Sequence, residues 1–275
     1  MEQVADLERA RAIFAASPRP LGFVPTMGAL HAGHLELVAA ARRRCASVAT
    51  SIFVNPLQFG PNEDLTRYPR DLDADARKLA EAGVDTLFAP PDSAMYPPGF
   101  AVSVDPGPAG DCFEGAVRPG HFRGVATVIV KLLNIVRPDR LFLGQKDAQQ
   151  TVVLRRTIAD LDFGVRLEVV PTVREADGLA MSSRNAYLDA AQRAQAPTLH
   201  SALVAMREAL ERGEAREDAI AAGRARLSES AKLDYLDVVD ADSFQPLERL
   251  RVPAFVIGAA RFGTTRLIDN LWIRP

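Results

Sequence analysis

The chain has 275 residues, 48% of them apolar and 25% charged, a balance that excludes collagen-like and disordered classes and allows one large or two moderate domains. Thirty-three Lys and Arg against 35 Asp and Glu leave a formal charge of −2, so bulk charge points neither to nucleic acid nor to an anionic membrane surface. Cys45 and Cys112 are too few for a disulfide framework and lie outside any Cys-x-x-Cys pair, and the N-terminal MEQVADLERARAIF has no apolar core of a signal peptide. No apolar run approaches the ~18 residues needed to span a bilayer. A soluble, cytoplasmic protein with no nucleic-acid or membrane partner is expected.

Along the first two-thirds, short apolar runs alternate with helical patterns. LGFVPT (21–26) reads as a strand and GHLELVAAARRR as the helix after it; ASVATSIFVN (46–55) reads as a strand bounded by Pro56. DLDADARKLAEAG (71–83) reads as a helix stopped by Gly83, and VDTLFAP (84–90) as a strand. In GVATVIVKLLNIV (124–136), Val125, Val128, Ile129, Leu132, Leu133 and Val136 recur at helical spacing, and Pro138 ends the pattern. DRLFLG (139–144) is an expected strand, QKDAQQTVVLRRTIADL a helix and VRLEVVPTV (165–173) a strand. Strands alternating with helices argue for an α/β fold, a Rossmann-like parallel sheet with helices on both faces. From about residue 175 the pattern changes to two helices within 189–230 and three strands at 233–241, 252–260 and 264–273, a smaller C-terminal α+β domain. The expected division is 1–174, binding nucleotide and substrate, and 175–275, a lid.

Ligands of such sheets bind beyond the carboxyl ends of the strands. The segment Pro25-Thr26-Met27-Gly28-Ala29-Leu30-His31-Ala32-Gly33-His34 joins the first of these strands to its helix. It has the GxxxxG half of a P-loop, but His34-Leu35 replaces Lys-Ser/Thr. Two imidazoles three residues apart at a helix start share a face, Gly33 leaves room beside the backbone, and the helix N-terminus adds free N–H groups. This is an anion cradle suited to a nucleotide's phosphates; the plain alternative is two surface histidines. A metal site is disfavoured, because the spacing is not HExxH and no third ligand is near in sequence.

These strings carry a resemblance. HAGH resembles the HIGH motif of the nucleotidylyl transferase superfamily. PTMGALHAGH, SIFVNPLQFGPNEDLTRYPRDL, RPGHFRGV, LGQKDAQQ and DGLAMSSRNAYL together resemble the pantothenate synthetase (pantoate–β-alanine ligase) family over nearly the whole chain. The resemblance implies that Met27, Gly28, Ala29, Leu30, His31, Ala32, Gly33 and His34 line the ATP site, with His34 on the leaving phosphates. It implies that Gln58 and Gln150 hold pantoate with Asn55 and Met27, and that Gly144, Gln145, Lys146 and Asp147 form a nucleotide loop. Val173 matches an adenine contact, and Met181, Ser182, Ser183 and Arg184 match a second nucleotide loop. His31, His34, Lys146 and Arg184 are the expected catalytic residues, and Asp75 an expected Mg²⁺ ligand.

Physical chemistry gives each a role beside a bland reading. Lys146 is a mobile point charge or a solvated lysine. Asp147 meets a ribose hydroxyl or caps a helix. Ser182, Ser183 and Arg184 bind phosphate or form a polar turn. Asn55, Gln58 and Gln150 are uncharged amides suited to hydroxyls and a carboxylate, or ordinary loop polarity. Asp75 holds the metal or stands on a solvated helix face. Glu114, Arg118, His121 and Arg123, in FEGAVRPGHFRG, form a gating loop, a subunit contact or plain surface charge, and His200 is taken as structural. Gln145, Ala148 and Ala74 depart from the residues usual in the family: Glu, an aromatic and an acid.

The implied activity is ATP-dependent condensation of pantoate with β-alanine through a pantoyl adenylate, releasing pyrophosphate and AMP. ATP and Mg²⁺ are the implied cofactors and a homodimer the implied assembly. The alternatives are another nucleotidylyltransferase of the superfamily and a nucleotide-binding module without turnover.

Overall fold

Six short apolar runs pair side by side in parallel. β1 (Glu2–Val4), β2 (Leu21–Thr26), β3 (Ser47–Ile52), β4 (Thr86–Phe88), β5 (Arg140–Gly144) and β6 (Arg166–Val170) form one sheet in the order β1-β4-β3-β2-β5-β6. The computed structural model describes residues 1–61 and 63–274. Its chain forms two compact units, 1–144 with 153–170, and 145–152 with 171–275.

In the first unit, side chains alternate between two cores because successive strand residues face opposite ways. Phe23, Leu141 and Leu143 join one core. It is covered by α1 (Leu7–Ala16), through Phe14, and by α6 (His121–Val136), through Val125, Ile129 and Leu132. Val24, Val48 and Phe142 join the other, covered by α2 (Ala32–Arg42) and α3 (Leu72–Glu81) through Val38, Ala41, Ala76 and Leu79. Short helices α4 (Asp92–Met95) and α5 (Glu114–Val117) interrupt the connection to α6, and α7 (Ala148–Asp160) joins β5 to β6. β2 is flanked by β3 on one side and β5 on the other, so the strand order reverses at β2 and the loop leaving it lies at the sheet's switch point.

The second unit carries α8 (Ala190–Gln195), α9 (Thr198–Glu211) and α10 (Arg216–Arg224), then an antiparallel sheet, β7 (Lys232–Asp240), β8 (Ala254–Phe262) and β9 (Thr265–Ile273). Leu199, Leu203 and Met206 of α9 are buried in one cluster with Val256 and Leu267 of the sheet.

The structure differs from the sequence expectations in several places. The strand expected over 46–55 stops at Ile52, because Asn55 and Pro56 start a 3-10 turn at Pro56–Gln58. The helical region 189–230 holds three helices, since Pro197 ends the α8 segment and sits at the N-cap of α9. α6 begins at His121, after Gly120 in a left-handed conformation. β1 and α1 have no counterpart among the expected elements; β1 is three residues long, and α1 is capped by Asp6, which accepts from the Arg9 N–H.

α6 lies directly on the 55–58 turn. A Cβ at Gly124 would stand 2.2 Å from the Leu57 carbonyl oxygen and 2.7 Å from the Gln58 nitrogen, both backbone atoms that cannot rotate away. Gly124→Ala should therefore cost about 1–3 kcal/mol through overpacking, read as a lower urea midpoint; an unchanged midpoint contradicts the close approach.

Candidate active site

The loop after β2 is held in an unusual backbone path. Gly28 and Ala29 both have positive φ, 82° and 50°. Gly28 takes that conformation without penalty and Ala29 does not. The compensation lies one residue on. Buried Leu30 donates its N–H to Asp75 Oδ1 at 2.9 Å and accepts from Lys78 Nζ at 2.8 Å. Asp75 and Lys78 stand on one face of α3, 3.5 Å apart. A carboxylate and an ammonium thus satisfy both backbone groups of one residue and fix where the chain enters α2.

His31 is the N-cap of α2, in extended conformation. Its Nδ1 accepts the Gly33 N–H at 3.1 Å, and His34 Nδ1 accepts the His31 N–H at 3.4 Å. A ring nitrogen that accepts carries no proton, so each neutral imidazole holds its proton on Nε2. The two ring centroids are 4.2 Å apart and tilted by 43°. Both rings are partly exposed. The two rings stand at the positive end of an 11-residue helix.

A second cluster gathers Met27, Asn55 and Gln58. Gln58 Nε2 lies 2.9 Å from Met27 Sδ, and Gln58 Oε1 accepts from Asn55 Nδ2 at 3.1 Å. Asn55, 1% exposed, also donates to the Gly124 carbonyl and accepts from the Leu57 N–H and from Tyr96 Oη at 2.7 Å. Both its donors and its acceptor are engaged, so Asn55 reaches a ligand only by breaking one of these bonds; as folded, it aims Gln58. Burial pushes the Tyr96 phenol up, with Asp92 adding to the rise, so the hydroxyl stays a donor to Asn55.

The segment Arg118–Arg123, ambiguous in sequence, resolves into a brace for Gln58. Arg118 pairs with Glu63 and donates to the Gln58 carbonyl at 3.3 Å. Arg118 Nη1 lies 3.1 Å from His121 Nε2, which must therefore accept, leaving His121 Nδ1–H to donate to the Gln58 carbonyl at 2.8 Å. Burial, reinforced by the Arg118 charge, lowers the His121 pKa from 6.5 to about 4, so the ring is neutral at pH 7. Arg123 instead pairs with Asp105 on the surface.

The second unit assembles its own candidates. Gln145 and Lys146 open a 3-10 turn before α7, with Lys146 half-buried and Asp147 exposed. A Cβ at Gly144, before them, would meet no atom within 4 Å among the described residues. Gln150 is half-buried on α7 and its neighbour Gln149 is buried. Residues 173–181 fold as a tight hairpin: Val173 accepts from the Met181 N–H at 3.0 Å, and Arg174 bridges to Ala180. Ser182 Oγ accepts the Arg184 N–H at 3.2 Å and starts the turn Ser183–Tyr187. Lys146 and Ser182 line one small indentation with His200 and Asp269. Sequence reasoning missed Tyr96, Arg174, Asp269 and Asn270, none of which stands in a string singled out for chemistry.

Asp75, the expected Mg²⁺ ligand, has one oxygen engaged within the fold and the other beside Gly28. It is 2% exposed, and its Oδ1 already faces the Leu30 N–H and the Lys78 ammonium. Among the described residues no group of three or more His, Cys, Asp or Glu side chains is placed to hold a metal ion. Cys45 and Cys112 form no disulfide, and burial raises both thiols, so neither is disposed to act as a thiolate.

Comparison with known proteins shows the family. A model of the family described as pantoate-beta-alanine ligase matches residues 1–272. The chain is 55% identical over 273 residues to the pantothenate synthetase of Acidiphilium cryptum, covering 98% of each. It superposes on a crystal structure of pantothenate synthetase from Thermus thermophilus with a TM-score of 0.95, 51% identity and all of both chains covered. It superposes on a pantoate-beta-alanine ligase from Francisella tularensis, complexed with beta-gamma ATP and beta-alanine, with a TM-score of 0.78 and 33% identity, over 99% of this chain and 97% of that one.

The His121 shift sets a pH dependence. Its folded pKa lies below its unfolded value, so the unfolded chain binds the extra proton more readily. The stability it contributes is complete above about pH 6.5 and is lost as pH falls towards 4. At 1.36 kcal/mol per unit, the loss is on the order of 3 kcal/mol. The fall in urea midpoint from pH 7.5 to 4.5 should be smaller in His121→Asn than in the parent; equal falls contradict the assignment.

Proposed function

The chain belongs to the pantoate–β-alanine ligase family, and we propose from its own residues how it carries out that family's reaction. The reaction joins pantoate to β-alanine and consumes ATP. A carboxylate is a poor electrophile, so a pantoate carboxylate oxygen first attacks the α-phosphorus of ATP. The bond to the bridging oxygen breaks, pyrophosphate leaves and pantoyl adenylate forms. The amine of β-alanine then attacks the activated carbonyl, AMP departs, and the nitrogen loses a proton to give the amide.

No enzyme nucleophile enters this scheme, in keeping with the lack of a GxSxG elbow and with two thiols whose pKa values burial raises. Catalysis rests on positioning and on donors aimed where charge grows. The observation that carries the reading is the pair of imidazoles at the start of α2, each accepting a backbone N–H through Nδ1. His34 and His31 are assigned to the phosphates. Residues 27–34 line the triphosphate, with Lys146 and Arg184 adding charge, and Gly144 to Asp147, Val173 and Met181 to Ser183 meeting the nucleotide. Gln58, braced by Asn55, Arg118 and His121, is assigned to pantoate beside Met27, with Gln150 as a second amide.

Magnesium enters this reading only as the companion of the triphosphate. Asp75, the acid assigned to it, would offer Oδ2, since its Oδ1 already receives the Leu30 N–H beside a lysine ammonium. The lid role of the smaller unit, residues 175–275 in the sequence reading, belongs to the same proposal. So do a homodimer and a cytoplasmic location; no helix among the described residues is long and apolar enough to cross a membrane.

A coupled assay for AMP, with each substrate omitted in turn, tests the function. AMP release should need ATP, pantoate and β-alanine together. AMP retained in the product, or pyrophosphate release that ignores pantoate, contradicts the assignment.

A further inference from the structure

Two adjacent residues of β9, Asp269 and Asn270, hold the loops of the second unit to which the nucleotide has been assigned. Asn270 is 2% exposed. Its Nδ2 donates to the Gln145 carbonyl and to the Lys146 carbonyl, both at 2.9 Å, and its Oδ1 accepts from Gln145 Nε2 at 3.3 Å. A primary amide has two N–H donors, and both converge on consecutive carbonyls. Rotating the amide by half a turn would set oxygen against oxygen at 2.9 Å, so its orientation is determined. The Gln145 amide matters to this arrangement: a carboxylate at position 145 would face Asn270 Oδ1 with no proton to share.

Asp269 holds the neighbouring hairpin. Arg174 grips its carboxylate through two bonds of 2.7 and 2.9 Å, and donates further to the Gly178 carbonyl at 3.0 Å and the Asn270 carbonyl at 3.2 Å. His200 Nδ1 stands 3.5 Å from the same carboxylate. One dipeptide on a regular strand thus ties down the Gln145–Lys146 turn with one side chain and the 174–178 hairpin with the other. A loop secured from a strand holds position more tightly than one secured from another loop.

We propose that Asn270 is a positioning residue for catalysis: by gathering the Gln145 and Lys146 carbonyls it fixes the backbone from which Lys146 reaches the phosphates of ATP. This rests on the assignment of Lys146 to the nucleotide. Asn270 touches no reacting atom in this scheme, so its effect passes through Lys146 and must vanish when Lys146 is gone.

A double-mutant cycle in the full chain tests it, with adenylate formation read in a single turnover at saturating ATP and pantoate. Asn270→Ala should slow that step by about 10- to 100-fold, as expected when a charge is misplaced by about 1 Å. In a Lys146→Ala background the same change should slow it by less than about threefold, because the two losses are one loss. Asn270→Ser, which keeps one donor, should lose less, and it carries the same cycle if the alanine variant does not fold. Losses that multiply in the double variant, or a normal rate in folded Asn270→Ala or Asn270→Ser while Lys146→Ala is slow, overturn the positioning role alone. A normal rate in Lys146→Ala overturns the nucleotide assignment and the positioning role together.

Discussion

The first turn of α2 leaves backbone N–H groups without helical partners, and this chain satisfies two of them with imidazole nitrogens. That choice has a chemical consequence. Ser or Asp in the same place would cap the helix and contribute nothing further. A histidine that caps through Nδ1 carries its proton on Nε2, so under the proposed function structural need and catalytic supply are met by one ring. Two such rings stand 4.2 Å apart between centroids, with tautomers set by the fold.

The residues that make this possible sit outside the motif. Asp75 and Lys78 reach across from α3 to satisfy Leu30. Tyr96 and Gly124 confine Asn55, which in turn confines Gln58. Asn270 and Asp269 do the same for the second unit. Asn55, Asp269 and Asn270 follow one pattern: a polar group almost out of contact with water, bonded at every polar atom, orients a less buried one. A buried polar side chain left without partners would be costly, so the fold completes these networks. Positional precision is a by-product of that completion.

Strand and helix positions were legible because their signal is local. LGFVPT occupies β2 with the expected ends, and the periodic Val, Ile and Leu of 124–136 face the core from α6. The short β1 carries too little apolar pattern to stand out and gains its place by pairing with β4. The split of 189–230 into three helices was legible in principle at Pro197. The imidazole pair was legible because spacing of three at a helix start is enough to bring two rings together. The brace around Gln58 was not: His121 is 63 positions away, and nothing local says that its ring meets the Gln58 carbonyl. Asp75 has a structural part that was equally illegible: its Oδ1 accepts a backbone N–H 45 positions away.

The tautomers of His31 and His34 are the most direct point of attack. Nitrogen NMR of the protein labelled in its four histidines, at a pH where the rings are neutral, reports which nitrogen carries each proton. Both rings should show an unprotonated Nδ1 and a protonated Nε2, and a non-hydrolysable ATP analogue should shift both Nε2 signals. A proton on Nδ1 of either ring, or Nε2 signals that ignore the analogue, would contradict the account.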